Sequence, residues 1–239
     1  MNRNGLKSTK VSIVIPALNE SKGIEKTIRT IPLSELNNMG YDVQVLVVDN
    51  GSTDDTSDIA RRAGAEVVFE PKRGYGHAYK AGFAGATGDI IATSDADATY
   101  PLEDIPRLVK IIDEQKIDFV TTNRLDMMKK GAMSLRNQIG NRILSLTMKV
   151  LYGININDSQ SGMWIFKKEI LDGLKINYDD WRFSQELKIE ACYYSNANWV
   201  EVPIHYYKRF GDSNGGNWKV GFIDLIHLFE KRLVRKWKK

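Results

Sequence analysis

Apolar residues fall along the first half of the chain in short runs separated by stretches of helical period. Val11 to Ile15 is a mostly apolar run closed by Pro16, a pattern that suits a strand buried on both faces. Asn19-Glu20-Ser21 offers helix-capping side chains, and Ile24, Ile28 and Ile31 then recur at helical spacing up to Pro32. The cycle repeats: Val43 to Val48 predicts a second buried strand, Thr53 a cap for a helix running to about Gly64, and Val67 to Phe69 a third strand. A helix of small residues through Ala78, Ala81, Gly82, Ala84 and Ala86 permits close backbone approach, and Ile90, Ile91 and Ala92 begin a fourth strand. Pro101 opens a helix with Ile105, Leu108, Val109 and Ile112 on one face, and Asp118 to Thr122 makes a fifth strand. This alternation predicts an α/β fold, a mostly parallel sheet with helices on both faces, whose carboxyl-end loops line a nucleotide-sized crevice. No Gly-x-Gly-x-x-Gly follows the first strand, so a dinucleotide is not the favoured guest.

Beyond Asn123 the pattern changes. Residues 123–134 read as a polar loop, and Leu135 to Tyr152 as a long helix with Leu135, Ile139, Ile143, Leu146 and Val150 roughly aligned. The turn Asp158-Ser159-Gln160-Ser161-Gly162 leads to a strand at Met163 to Phe166, then a helix over Phe183 to Tyr194 and a strand over Trp199 to Tyr206. Lys208 to Ser213 is a basic, glycine-containing loop. In the last stretch Trp218, Phe222, Ile226, Phe229, Leu233 and Trp237 recur at steps of three and four, while Lys231, Arg235, Lys236, Lys238 and Lys239 gather toward the end. That composition suits a helix lying on an anionic membrane surface; a helix packed on its own domain with a solvated basic end is the competing reading. The organisation expected is a catalytic unit over 1–217, with a nucleotide half at about 11–122 and an acceptor half at about 123–217, followed by a basic amphipathic helix over 218–239.

Charge sharpens this picture. The chain of 239 residues carries +4 overall, and the stretch from Trp218 onward holds seven Lys or Arg against two Asp or Glu, a net of +5, so the basic character belongs to the tail. Nucleic acid, which usually asks for basic residues spread over a reading face, is not an expected partner. The single cysteine, Cys192, forms no intrachain disulfide, and no run of eighteen apolar residues occurs. A protein of the cytosol, peripheral on the cytosolic face of a membrane, is expected, with a homo-oligomeric or membrane-protein partner left open.

The candidate chemistry centres on Asp95-Ala96-Asp97, which follows the fourth apolar run and precedes Pro101. Two hard oxygen donors at the carboxyl end of a core strand suit a divalent cation carrying phosphates. Lys72-Arg73, before Gly74-Tyr75-Gly76, can reach a diphosphate or form a solvated pair in a loop. His77, His205 and His227 show no paired spacing that suggests a metal site.

Taken in order, Val14-Ile15-Pro16-Ala17-Leu18-Asn19-Glu20, Val48-Asp49-Asn50-Gly51-Ser52-Thr53-Asp54, Asp95-Ala96-Asp97 and Asp158 to Gly162 resemble the family-2 glycosyltransferases of the GT-A fold, most nearly the dolichol-phosphate or polyprenyl-phosphate sugar synthases. The sequence departs from that pattern at Leu18, at Asn50 and at Thr99. The resemblance implies that Pro16, Glu20 and Asp49 hold the nucleotide base and ribose, that Asp95 and Asp97 hold Mg²⁺ or Mn²⁺ with the diphosphate, and that Arg124, Arg136 and Arg209 face the phosphates; Asn50 and Lys72 are further candidates on the nucleotide side. It places Arg136, Asp158 and Ser161 on the acceptor side. The reaction implied is inverting transfer of one sugar from a UDP- or GDP-sugar to a polyprenyl phosphate. A phosphate oxygen is already anionic and needs positioning more than a base, whereas a sugar hydroxyl needs a carboxylate within reach, for which Glu186 is the nominee. A hydroxyl acceptor, a nucleotidyltransferase and a non-catalytic nucleotide-sugar-binding module remain as alternatives.

Overall fold

The computed structural model describes residues 9–210 and 218–236. The first two strands, β1 (Lys10–Ala17) and β2 (Asp42–Asp49), run parallel, with Val14 opposite Leu46, and their burial on both faces explains their mostly apolar character, the buried exceptions Ser12 and Gln44 bonding each other at 2.7 Å. Between them lie α1 (Ile24–Arg29) and a short α2 (Leu33–Asn38), which begins past Pro32 and was not expected. The next helix, α3 (Thr56–Arg62), starts after Thr53, whose amide and hydroxyl both donate to Asn19 Oδ1 (2.8 and 3.3 Å), while Asp54 Oδ1 accepts from the Thr56 amide (3.1 Å). After β3 (Glu66–Phe69) comes α4 (Tyr75–Gly85), where a Cβ on Gly82 would lie 2.4 Å from Val14 Cγ1. That approach is what the small residues of α4 allow.

The chain continues through β4 (Ile90–Thr93), a 3₁₀ turn at Leu102–Asp104, α5 (Ile105–Glu114), β5 (Phe119–Met128), α6 (Leu135–Tyr152) and β6 (Trp164–Lys167). It then forms α7 (Arg182–Ile189), which runs on as a π-helical turn over Glu190–Tyr194, β7 (Trp199–Tyr206) and α8 (Trp218–Lys236). The seven strands form one sheet in the order β3-β2-β1-β4-β6-β5-β7, in which β6 is antiparallel to both neighbours and every other pair is parallel. Residues 123–128, expected in a loop, prolong β5: Asn123 pairs with Pro203, and Met127 with His205, across an irregularity in register. One face of the sheet packs Ile13, Ile15 and Val47 with Ile24 and Leu108; the other packs Val14 and Val48 with Tyr79 and Phe83 of α4 and Phe183 of α7.

The last helix has an inverted character. It buries Asp224, His227, Leu228 and Lys231, while Phe222, Ile223, Ile226, Phe229 and Leu233 are 41 to 57% exposed. The buried face is pinned by Lys231, whose Nζ lies 2.6 Å from Glu186 Oε1 and 2.8 Å from Glu190 Oε1, and by the Tyr152 hydroxyl, which donates to the Leu228 carbonyl at 2.6 Å. The helix is thus packed on its own domain, but through its polar side, and the apolar stripe read from the sequence faces outward. Along α6, Leu135, Ile139, Ile143, Leu146 and Val150 are likewise exposed. Among the described residues no helix is long and apolar enough to cross a membrane. Gly211 to Ser213 of the basic loop, and Trp237, Lys238 and Lys239, lie outside the described residues.

Candidate active site

A cleft of about 520 Å³ opens at the carboxyl ends of β1, β2 and β4, where Pro16, Glu20, Asn50, Asp95, Asp97, Arg124 and Arg209 line its walls. The Asp95-Ala96-Asp97 segment leaves β4 and turns through Ala98 in a left-handed conformation (φ 59°). Thr27 of α1 holds that turn: its hydroxyl donates to the Ala96 carbonyl (3.0 Å) and accepts from the Ala98 amide (3.0 Å). Thr99 steadies the second carboxylate, its amide and hydroxyl both donating to Asp97 Oδ1 (3.1 and 2.7 Å). The Arg209 guanidinium spans two acids, at 3.0 Å from Asp97 Oδ2 and in contact with Glu20 Oε1.

Burial, and then the neighbouring Asp97, push the Asp95 carboxyl up to about 7; burial likewise lifts Glu20 to about 7 against the pull of Arg209. Negative charge is crowded here, which is the environment a divalent cation relieves. Among the described residues no group of three or more His, Cys, Asp or Glu forms a metal cage. The pair Asp95 and Asp97 therefore fits a cation that draws its remaining oxygens from phosphate and water, as Mg²⁺ commonly does.

The β2 side of the cleft is organised by Asn50, whose Nδ2 donates to the Glu70 and Lys72 carbonyls (3.1 and 2.7 Å) while its Oδ1 accepts from the Gly74 amide (2.8 Å). Asp49 at the end of β2 accepts from the Ser52 amide (2.8 Å) and the Ser57 hydroxyl; burial opposes its ionisation, but these bonds hold its carboxyl below the usual range. The Lys72 side chain is exposed outside the cleft lining, and its carbonyl is what the loop uses. Gly76 is required by contact: a Cβ there would lie 2.6 Å from Asp179 Cα, and its amide donates to the Asp179 carbonyl at 2.8 Å.

Arg124 enters from β5 and is held by Asp158. Its Nε and Nη2 donate to the two carboxylate oxygens at 2.7 and 2.9 Å, and its amide donates to Oδ2 at 2.9 Å. Burial works against the Asp158 charge, but Arg124 outweighs it and holds the carboxyl at about 2. Fully buried Asp158 is thus the anchor of a cleft arginine. Lys188 of α7 secures the same turn, its Nζ donating to the Ser159 and Ser161 carbonyls at 2.7 Å each, with burial lowering its pKa to about 7. Ser161 is itself buried, its Oγ 2.6 Å from Thr122 Oγ1.

Of the nominated residues, Asp49, Lys72, Asp158 and Ser161 support the cleft without lining it, and Arg136 and Glu186 stand apart from it as well. Arg136 is exposed in the first turn of α6, where the neighbouring Asn137 lines the cleft. Glu186 is fully buried; its Oε2 accepts from the Asn177 and Tyr178 amides (2.8 and 2.9 Å), and its Oε1 meets Lys231 at 2.6 Å. A carboxylate so engaged is not placed to take a proton from an acceptor, so the geometry gives Glu186 the work of fastening α7 to α8. The structure adds lining residues that the sequence did not single out for the site: Tyr75, Tyr100, Trp181, Ser184 and Asp224, with Tyr206, whose ring lies 5.1 Å from the Arg124 guanidinium carbon.

Residues 12–174 match the family model described as Glycosyl transferase family 2. The low-salt glycan biosynthesis hexosyltransferase Agl6 of Haloferax volcanii is 34% identical over 206 residues, covering 85% of this chain and 49% of that protein, so the chain spans about half of this relative's length. The dolichyl-phosphate hexose transferase of the same organism is 33% identical over 172 residues, covering 71% of this chain and 72% of that protein. The crystal structure of glucosyl-3-phosphoglycerate synthase from Mycobacterium tuberculosis in complex with Mn²⁺ and UDP-Glc matches with a TM-score of 0.73 at 25% identity, covering 94% of this chain and 79% of that one. With its GT-A-like sheet and its strand-end motifs in order, the chain belongs to glycosyl transferase family 2 and is similar to the polyprenyl-phosphate sugar transferases within it.

Proposed function

We propose that the chain transfers a single sugar, with inversion, from a UDP- or GDP-sugar to a polyprenyl phosphate at the cytosolic face of a membrane. The observation that carries this reading is the position of the cleft: Asn137 of α6 and Val220 of α8 line it, and both helices present exposed apolar residues to the outside. A phosphate headgroup can enter among Arg124 and Arg209 while its chain stays against an apolar surface. Asp95 and Asp97 would hold Mg²⁺ or Mn²⁺, which when bound offsets charge on the departing nucleoside diphosphate. Arg209 is already paired to carboxylates at the cleft wall and can exchange one of them for a phosphate; Arg124, fixed by Asp158, supplies a positive charge that does not have to be ordered during reaction. An anionic acceptor needs no general base, which agrees with the engagement of Glu186 elsewhere. The metal-bound and nucleotide-bound states of the M. tuberculosis synthase support the donor half of the reading, and the name of the H. volcanii dolichyl-phosphate enzyme supports the acceptor half.

The test is to incubate the protein with UDP-glucose, UDP-N-acetylglucosamine and GDP-mannose, Mg²⁺ or Mn²⁺, and a short polyprenyl phosphate or the corresponding alcohol. Formation of a polyprenyl-phosphate sugar with release of nucleoside diphosphate is expected. Release of pyrophosphate would assign a nucleotidyltransferase, and preference for the alcohol would remove the phosphate acceptor.

A further inference from the structure

The wall of the cleft made by α7 and α8 differs chemically from the rest. Asp224 lines it from α8 and is 3% exposed, yet its Oδ1 has no hydrogen-bond partner among the described residues. Ser184 lines it from α7, is 6% exposed, and its hydroxyl is equally unpartnered. Burying an acceptor and a hydroxyl without partners is costly, and such groups call for a water, ion or ligand that completes the bonds. The cost shows in Asp224 itself, whose carboxyl burial pushes up to about 7. Neighbouring Arg182 does not relieve it by a direct bond, because its guanidinium is committed to Asp180 through contacts of 2.6 to 3.1 Å.

The chemistry of this wall selects among guests. A carboxylate repels a phosphate, so the acceptor headgroup and the diphosphate belong with Arg124, Arg209 and the metal-binding pair. What a buried carboxylate and a serine hydroxyl recognise together is a neutral polyol, whose hydroxyls donate to the one and exchange hydrogen bonds with the other. Trp181, also in the lining and stacked on Tyr75 at 4.6 Å, supplies an aromatic surface for the carbon skeleton of such a guest. We propose that Ser184 and Asp224, with Trp181, recognise the hydroxyl groups of the sugar being transferred and so set donor specificity; this rests on the glycosyl-transfer reading above.

The variants are Asp224→Ala and Ser184→Ala, with the near-isosteric Asp224→Asn as a control that keeps one acceptor and the packing of α8. With the best nucleotide sugar of the panel, kcat/KM is measured beside that of its single-deoxy analogues. Loss of a hydrogen bond to a charged group predicts a fall of about 10- to 100-fold in kcat/KM for Asp224→Ala, with an intermediate value for Asp224→Asn. The preference of the wild type for the parent donor over one deoxy analogue should collapse in the same variants, while KM for polyprenyl phosphate and the affinity for free nucleoside diphosphate stay unchanged. An unaltered deoxy preference, or a change confined to the acceptor KM, overturns the proposal. Calorimetry supplies an arm independent of turnover: with Mn²⁺ present, the affinity difference between nucleotide sugar and nucleoside diphosphate should vanish in Asp224→Ala. If the wild type transfers no sugar but shows that difference and loses it on substitution, the transfer reading fails and the sugar subsite stands; if the difference survives substitution, the subsite fails.

Discussion

Replacing Glu186 by glutamine separates two accounts of the most deeply placed carboxylate near the site. Glu186 Oε2 accepts from two backbone amides, Asn177 and Tyr178, and Oε1 accepts from Lys231. A glutamine amide offers one oxygen and one NH₂, so in either orientation a donor faces a donor, toward the backbone pair or toward the ammonium. Breaking a buried ion pair by removing one partner costs about 3–5 kcal/mol. Here Glu190 Oε1 remains 2.8 Å from Lys231, which lowers the expectation to roughly 2–4 kcal/mol on the scale of hydrogen bonds to charged groups. For a chain of this size each kcal/mol moves the melting temperature by about 2–4 °C, so a fall of roughly 4–16 °C follows. A general base, by contrast, contributes about 10²–10⁴ in rate. Thermal unfolding followed by circular dichroism, with initial rates taken well below both transitions, distinguishes them. The fastening role predicts a lowered transition with turnover within a few-fold of wild type. An unchanged transition with a hundredfold slower reaction refutes it and restores Glu186 as the base.

Asp95, lifted to about 7 by burial and Asp97, binds more protons in the folded than in the unfolded chain between pH 4 and 7, so wild type loses stability from this group as pH rises. The melting advantage of Asp95→Asn in metal-free buffer should therefore open across that interval and level off above it; an advantage equal at pH 4 and pH 8 refutes the assignment. Asp158, held at about 2 against burial by Arg124, has the opposite sign: the stability it contributes is present above its unfolded value and lost as pH falls toward 2. Asp158→Ala should cost about 3–5 kcal/mol by urea unfolding at neutral pH and less in acid, because it strands the buried Arg124. On the exposed apolar face, Ile143→Glu with Phe229→Glu should cut co-sedimentation with anionic phospholipid vesicles about tenfold while leaving nucleoside diphosphate affinity intact; equal sedimentation removes that face from membrane docking.

Where local signals and tertiary context agree, the sequence is a good guide. The span of α6 was legible because Ser134 caps it, accepting from the Asn137 amide at 3.3 Å, and Gly153 ends it with φ 71°. The runs that became β1, β2 and β4 were legible because buried parallel strands admit few polar residues. The outer half of β5 was hidden for the converse reason: Asn123 and Arg124 look like loop residues, and only Asp158, far along the chain, makes the burial of Arg124 tolerable. The antiparallel direction of β6 leaves no trace in a short apolar run. The Asp95 and Asp97 loop was found through its place after a strand, whereas Tyr75 and Trp181 meet in the cleft only through contact between α4 and α7. One signal was readable and passed over. Asp224, His227 and Lys231 recur at steps of three and four along α8, a polar stripe on the side away from the exposed Phe222, Ile226 and Phe229; Lys231 is paired with Glu186 and Glu190, whereas Asp224 Oδ1 and both His227 ring nitrogens have no partner among the described residues.

Through Lys231 that stripe is joined to the cleft wall by a series of direct contacts. Lys231 on α8 holds Glu186; Glu186 accepts from the Asn177 and Tyr178 amides; the next residue, Asp179, accepts at its carbonyl from the amides of Gly76 and His77 at the start of α4. The loop before that helix is the one Asn50 ties to the end of β2. Each link is a buried or close contact with a defined partner, and Gly76 is what admits the close approach of Tyr178 and Asp179, since a Cβ there would lie 2.6 Å from Asp179 Cα. Releasing α8 from the domain would therefore unseat two charges at once and free the segment that braces α4. Peeling α8 away as an independent anchor would break these contacts, whereas with the helix in place Asp224 stays in the cleft wall while Phe222, Ile226 and Phe229 face outward.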